Sequence, residues 1–123
     1  MSRRGLILFA HGSRDPLWRA PIEAVRQALA TLHPELPVRC AYLELCQPDL
    51  AQAATELIAA GACQISVTPM FLGTGRHARE DLPQLIAALA AQHPGVRFHV
   101  QGPVGEDPRM ALLMAQIAAE DAL

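Results

Sequence analysis

The chain has 123 residues, which suits one compact domain, and 51% of them are hydrophobic, enough for a core without disulfides or metal. Charged residues are 18% and the formal net charge is −2, so no basic footprint points to nucleic acid, and the sparse charge leaves surface for burial in an oligomer. All ten basic residues are Arg, which excludes a Schiff-base lysine, a Walker-type phosphate lysine and a Ser–Lys dyad.

In chain order, "GLILFA" (5–10) is a short apolar run closed by turn residues and reads as a buried strand. It is too short for a signal h-region or a membrane span, so a cytoplasmic protein with no membrane contact is expected. Ile22, Val25, Leu29 and Leu32 share one face of a helix within 17–32. "PVRCAYLEL" (37–45) reads as a second strand. Leu50, Ala54, Leu57 and Ile58 mark a helix that Gly61 ends. "QISVTPMF" (64–71) is a third strand, Leu82, Leu85, Ile86 and Leu89 a third helix. "VRFHVQG" (96–102) gives a fourth strand, and Met110, Leu113, Met114 and Ile117 a last helix. Strict alternation predicts an α/β fold, a parallel sheet with helices on both faces. By analogy with flavodoxin-like sheets the expected strand order is 2-1-3-4, in one domain over 1–123.

"ALATLHPELPVRC" (28–40) is echoed by "ALAAQHPGVRFHV" (88–100). Proline disfavours α geometry in the residue before it, so His33 and His93 read as helix stops, where a histidine also suits the helix dipole. His99 lies within a strand and reads as structural. Cys40, Cys46 and Cys63 are odd in number and lack CxxC spacing, so they read as free thiols in a reducing compartment.

Ligands of an open parallel sheet bind outside the carboxyl ends of its strands. The segments there are "AHGSRDP" (10–16), "ELCQPD" (44–49), "FLGTGRHARED" (71–81) and "QGPVGEDP" (101–108). His11 and His77, the histidines not explained as helix stops or strand residues, both fall on this edge, with Glu44, Arg14, Arg76 and Arg79. If the first and third strands are neighbours, the two histidines face one crevice. Ser13 lacks the G-x-S-x-G elbow of a nucleophile, and "SRDP" reads as a helix start, with Ser13 or Asp15 as cap. "GTGRH" is not a dinucleotide fingerprint, although Gly73 and Gly75 allow close approach of a ligand. Glu80 and Asp81 read as the first turn of the next helix. Two imidazoles with one carboxylate suit Co²⁺, Ni²⁺, Fe²⁺ or Zn²⁺, yet are too few for a closed structural site. That favours a metal held briefly or completed by substrate, with the arginines matched to ligand carboxylates or phosphates.

"LILFAHGSRDP", "YLELCQPDL" and "TPMFLGTGRHAREDLP", in this order, resemble the CbiX/SirB sirohydrochlorin chelatases, in their short single-domain form. The resemblance implies ATP-independent insertion of a divalent metal (cobalt, or iron or nickel) into sirohydrochlorin, in cobalamin or sirohaem biosynthesis, with no nucleotide cofactor. It implies that His11 and His77 bind metal and accept pyrrole protons, that Glu44 is the acid after the second strand, and that the chain pairs as a homodimer. Arg14, Gly73, Gly75, Arg76 and Arg79 then face the tetrapyrrole. Arg76 stands where the family loop often has glycine. Two other readings are a non-catalytic metal- or tetrapyrrole-binding protein on this fold and a phosphoester or small-acid enzyme using His11.

Overall fold

The computed structural model describes residues 3–73 and 75–122, apart from the side chains of Arg76 and His77. The strands are β1 (Arg4–Ala10), β2 (Val38–Tyr42), β3 (Gln64–Pro69) and β4 (Arg97–Val100). The helices are α1 (Ala20–Leu32), α2 (Leu50–Ala59), α3 (Arg76–Gln92) and α4 (Pro108–Ala122), with one-turn 3-10 helices at Pro16–Arg19 and Val104–Glu106. The strands form one parallel sheet in the order β2-β1-β3-β4, as expected. No helix among the described residues is long and apolar enough to cross a membrane.

Connection handedness decides which faces are covered. Parallel strands are joined by right-handed crossovers, so a step leftward and a step rightward place their helices on opposite faces. The step from β1 to β2 goes one way and the later steps go the other. Accordingly Ile7, Phe9, Ile65 and Val67 pack with α2 and α3, through Leu50, Leu57, Leu82 and Leu89. Leu8, Ala10, Cys40 and Tyr42 pack on the other face against Ile22, Val25 and Leu29 of α1. The run in β1 is continuously apolar because both its faces are covered. β3 alternates, with Ile65 and Val67 buried and Ser66 and Thr68 half-buried, because α1 does not reach its second face.

Several helix ends follow local chemistry. Asp49 caps α2 in a reciprocal capping box with Gln52, the two bonds being 2.8 and 2.9 Å. Gly61, at φ +105°, lets the chain leave α2. His33 and His93 are the C-caps of α1 and α3; each amide N–H donates to a leucine carbonyl four residues back, at 2.7 and 3.0 Å. Asp15, one of the two expected caps, accepts from the Leu17 amide at 3.0 Å.

Several expected bounds are corrected: β3 ends at Pro69 rather than at 71, and β4 spans Arg97–Val100 rather than 96–102. β2 stops at Tyr42 rather than Leu45, and Leu45 takes a left-handed φ of 69°, outside strand geometry. α3 begins at Arg76, so Arg76 and His77 belong to its first turn, ahead of Glu80 and Asp81. α4 is helical as expected, but it packs chiefly against the 3-10 turn Val104–Glu106 and buries no residue. Leu112, Leu113, Met114 and Ile117 are 62%, 49%, 40% and 57% exposed. Leu32 is likewise exposed, one turn beyond the part of α1 that meets the sheet.

Leu57 is fully buried and sits against the α2-side sheet core. Leu57→Ala should therefore destabilise the fold by about 2–5 kcal/mol, read as a lower urea midpoint with unchanged slope.

Candidate active site at the carboxyl edge of the sheet

Backbone hydrogen bonds continue past the strand ends and tie the edge loops together. Leu43 N–H donates to the Ala10 carbonyl at 2.9 Å, and Glu44 N–H to the His11 carbonyl at 3.1 Å. On the other side Met70 N–H donates to Phe9 at 2.7 Å, and Gly105 N–H to Phe71 at 2.8 Å. Two glycines permit this closeness. Gly12 has φ +93°, and a Cβ there would lie 2.0 Å from the Glu44 carbonyl oxygen. A Cβ on Gly105 would lie 1.9 Å from the Leu72 carbonyl oxygen.

His11 therefore leaves β1 in a fixed direction. Its ring stacks on Phe71, with centroids 4.2 Å apart and planes at 29°. Phe71 in turn meets the fully buried Phe9 edge-on at 6.0 Å. The imidazole is exposed, yet one ring face is anchored to the core.

A cavity of about 490 Å³ opens beside His11 on the α1 side of the sheet, lined by Trp18, Arg19, Tyr42, Met70 and Phe71 among others. On the opposite side of the sheet a groove of about 520 Å³ runs between α3 and β4. Phe71 borders both spaces. Arg79 lines the groove with Leu82, Pro83 and Phe98, away from the His11 cavity.

The other expected site residues divide as follows. Arg14 is exposed in the loop after β1. Glu44 is exposed, and its backbone is the part held against His11 and Gly12. A Cβ at Gly73 or Gly75 would meet no atom within 4 Å, so the fold itself does not require glycine there. The side chains of Arg76 and His77 lie outside the described structure, and with them the expected pairing of His77 with His11. Among the described residues no three His, Cys, Asp or Glu side chains gather for a metal.

Sequence reasoning missed Phe71, Tyr42, Trp18 and Gly105 as site residues. Trp18 and Tyr42 are the chain's single Trp and single Tyr, and Trp18 is 72% exposed, a signal for a ligand surface. Tyr42 is 3% exposed, and its buried hydroxyl has no hydrogen-bond partner among the described residues. Burial pushes the phenol up to about 12, helped by negative charge at Cys40, Glu23 and Cys46 and opposed by Arg19. Burial also pushes the Cys40 thiol up to about 12, with Glu23 adding to the effect.

Residues 5–121 match the CbiX family model. The chain belongs to the CbiX family. The sirohydrochlorin ferrochelatase of Bacillus subtilis (strain 168) is 31% identical over 111 residues, which is 85% of this chain and 40% of that protein. The sirohydrochlorin cobaltochelatase of Methanothermobacter thermautotrophicus is 32% identical over 82 residues, 67% of this chain and 57% of that protein. The chain thus spans only part of the length of these CbiX-like relatives. The solved structure of a CbiX protein from Marinobacter aquaeolei VT8 superposes with a TM-score of 0.84 at 33% identity, covering 97% of each chain. The CbiX resemblance read from the three edge segments is therefore correct at the level of family and fold.

The buried Tyr42 and Cys40 give this site an alkaline signature. Both keep their protons in the fold to about pH 12, whereas the unfolded chain releases them from its ordinary values of 10.0 and 9.0. Their contribution is complete below those values and is lost as pH rises toward 12. Urea stability should fall across this alkaline range, and Tyr42→Phe or Cys40→Ala should flatten the decline.

Proposed function

We propose that this chain inserts a divalent metal into sirohydrochlorin without ATP. The carrying observation is His11, exposed at the carboxyl edge yet stacked on Phe71 at the mouth of a cavity. Both named relatives are sirohydrochlorin chelatases, one for iron and one for cobalt. In this reading His11 and His77 bind M²⁺ above the macrocycle. The ion exchanges their imidazoles for ring nitrogens. The two pyrrole N–H protons pass to a histidine or to Glu44, so one M²⁺ enters as two H⁺ leave. A neutral imidazole can act first as ligand and then as base.

Arg14 and Arg76 take substrate carboxylates around the mouth, and Arg79 takes an arm on the groove side. Gly73 and Gly75 leave clearance for the ring. Imidazole and carboxylate donors accept Co²⁺, Fe²⁺ and Ni²⁺ alike, so the metal is set by supply, and with it the cobalamin or sirohaem product. The chain works as one domain over 1–123, in the cytoplasm, with no nucleotide.

Anaerobic insertion into sirohydrochlorin, followed by absorbance, tests the reading. His11→Ala and His77→Ala should each slow insertion by about 10²–10⁴-fold, the usual contribution of a positioned acid–base group. Wild-type rates in both variants would sink it. Stoichiometric metal or tetrapyrrole binding without turnover would favour the non-catalytic reading.

The proposed active form is a homodimer. The support is α4, whose apolar residues face no core among the described residues. Leu113→Glu with Ile117→Glu should shift sedimentation toward monomer while far-UV circular dichroism stays near wild type. An unchanged dimer would place the interface elsewhere.

A further inference from the structure

The cavity beside His11 has polar groups that the chelation chemistry does not use. Tyr42 lines it, is 97% buried by its 3% exposure, and carries a hydroxyl with no partner among the described residues. Arg19 lines the same cavity, is half-buried, and makes no ion pair with a described residue. It lies close enough to Tyr42 to favour the ionised phenol. The nearby acid, Glu23, is already engaged by Arg26 at 2.8 Å. Most of the remaining lining is apolar, including Ile22, Val25, Met70 and Val104.

A buried hydroxyl without a partner is costly, and phenylalanine would fill the same space without that cost. Its phenol stays protonated at neutral pH and therefore offers a donor. A cation and a neutral donor in an apolar recess suit a carboxylate, which accepts from both at once. His11 lines the same recess, so a group held there can belong to a molecule whose reacting part lies over the imidazole.

We propose that this recess is a carboxylate subsite, in which the Tyr42 hydroxyl donates a hydrogen bond and Arg19 supplies the charge for one acidic arm of the substrate. This rests on the reading of a sirohydrochlorin-like substrate with carboxylate arms. Trp18 forms the outer wall, so binding is visible in the fluorescence of the chain's single tryptophan.

The test is a fluorescence titration of the full chain with metal-free sirohydrochlorin and with its methyl ester. Tyr42→Phe should raise the Kd for the acid about tenfold and leave the Kd for the ester unchanged. Arg19→Gln should act in the same direction, at least as strongly. The Tm of Tyr42→Phe should equal or exceed that of wild type, because an unpartnered hydroxyl has been removed; a purely structural tyrosine would lower it. An acid Kd within twofold of wild type in both variants overturns the proposal. If the wild type binds neither form, the substrate reading fails, and the subsite is decided separately with propionate against propionamide. Carboxylate-selective shifts of the Arg19 and Tyr42 amide NMR signals then support it, and equal responses to the two probes overturn it.

Discussion

The site depends on one close backbone passage, that of His11–Gly12 over Glu44. The Glu44 amide donates to the His11 carbonyl at 3.1 Å, and the Glu44 carbonyl occupies the place a Cβ on residue 12 would need. This extends β1–β2 pairing beyond the last strand residues and fixes where β1 delivers its histidine. A second passage does the same on the far side, where Gly105 packs on the Leu72 backbone. Both tolerate only glycine, one through φ and contact together, the other through contact. The edge is therefore a set of loops held by backbone, leaving side chains available for a ligand.

The uneven cover of the sheet is a second consequence of chain path. α2 and α3 seal one face, whereas α1 reaches only β2 and β1 on the other. The unsealed part, over β3 and β4, presents Ser66, Thr68 and His99 rather than a hydrophobic run. Thr68 instead hydrogen-bonds Gln101. The apolar residues of α4 meet no core among the described residues. Sparse charge in the composition and this exposed stripe have one physical basis: too little polar surface for every face to be solvated.

Alternation of apolar runs with helical stripes was enough to read a parallel α/β sheet, while its order came by analogy with flavodoxin-like sheets and agrees with the structure. The His-Pro pairs were legible because a steric rule acts within two residues. What could not be read was contact between distant backbones. Nothing local to "AHGS" reveals that Gly12 meets Glu44, and nothing in "PVGED" reveals that Gly105 meets Leu72. The start of α3 was misplaced because the acids at 80 and 81 fit a first turn, while the real cap, Gly75, makes no side-chain bond to announce itself. The stripe on α4 was read correctly as helix, but its exposure was not legible, since periodicity tells that a face is apolar and not what covers it.

For the proposed role of His11, its stacking on Phe71 reconciles two demands on a group that hands on an ion. A ligand for transfer must be oriented, or the ion arrives in many geometries. It must also stay exchangeable, which a closed shell of protein donors prevents. Hydrogen bonds to the ring nitrogens would orient it by occupying the atoms that bind metal. Packing one ring face on a phenyl group orients it while leaving its edge free, and Phe9 behind Phe71 makes that support rigid. In the proposed reading, few protein donors beside the imidazole keep the metal exchangeable. If His11 carries the proposed chemistry, the aromatic stack, rather than a network of polar groups, sets where it takes place.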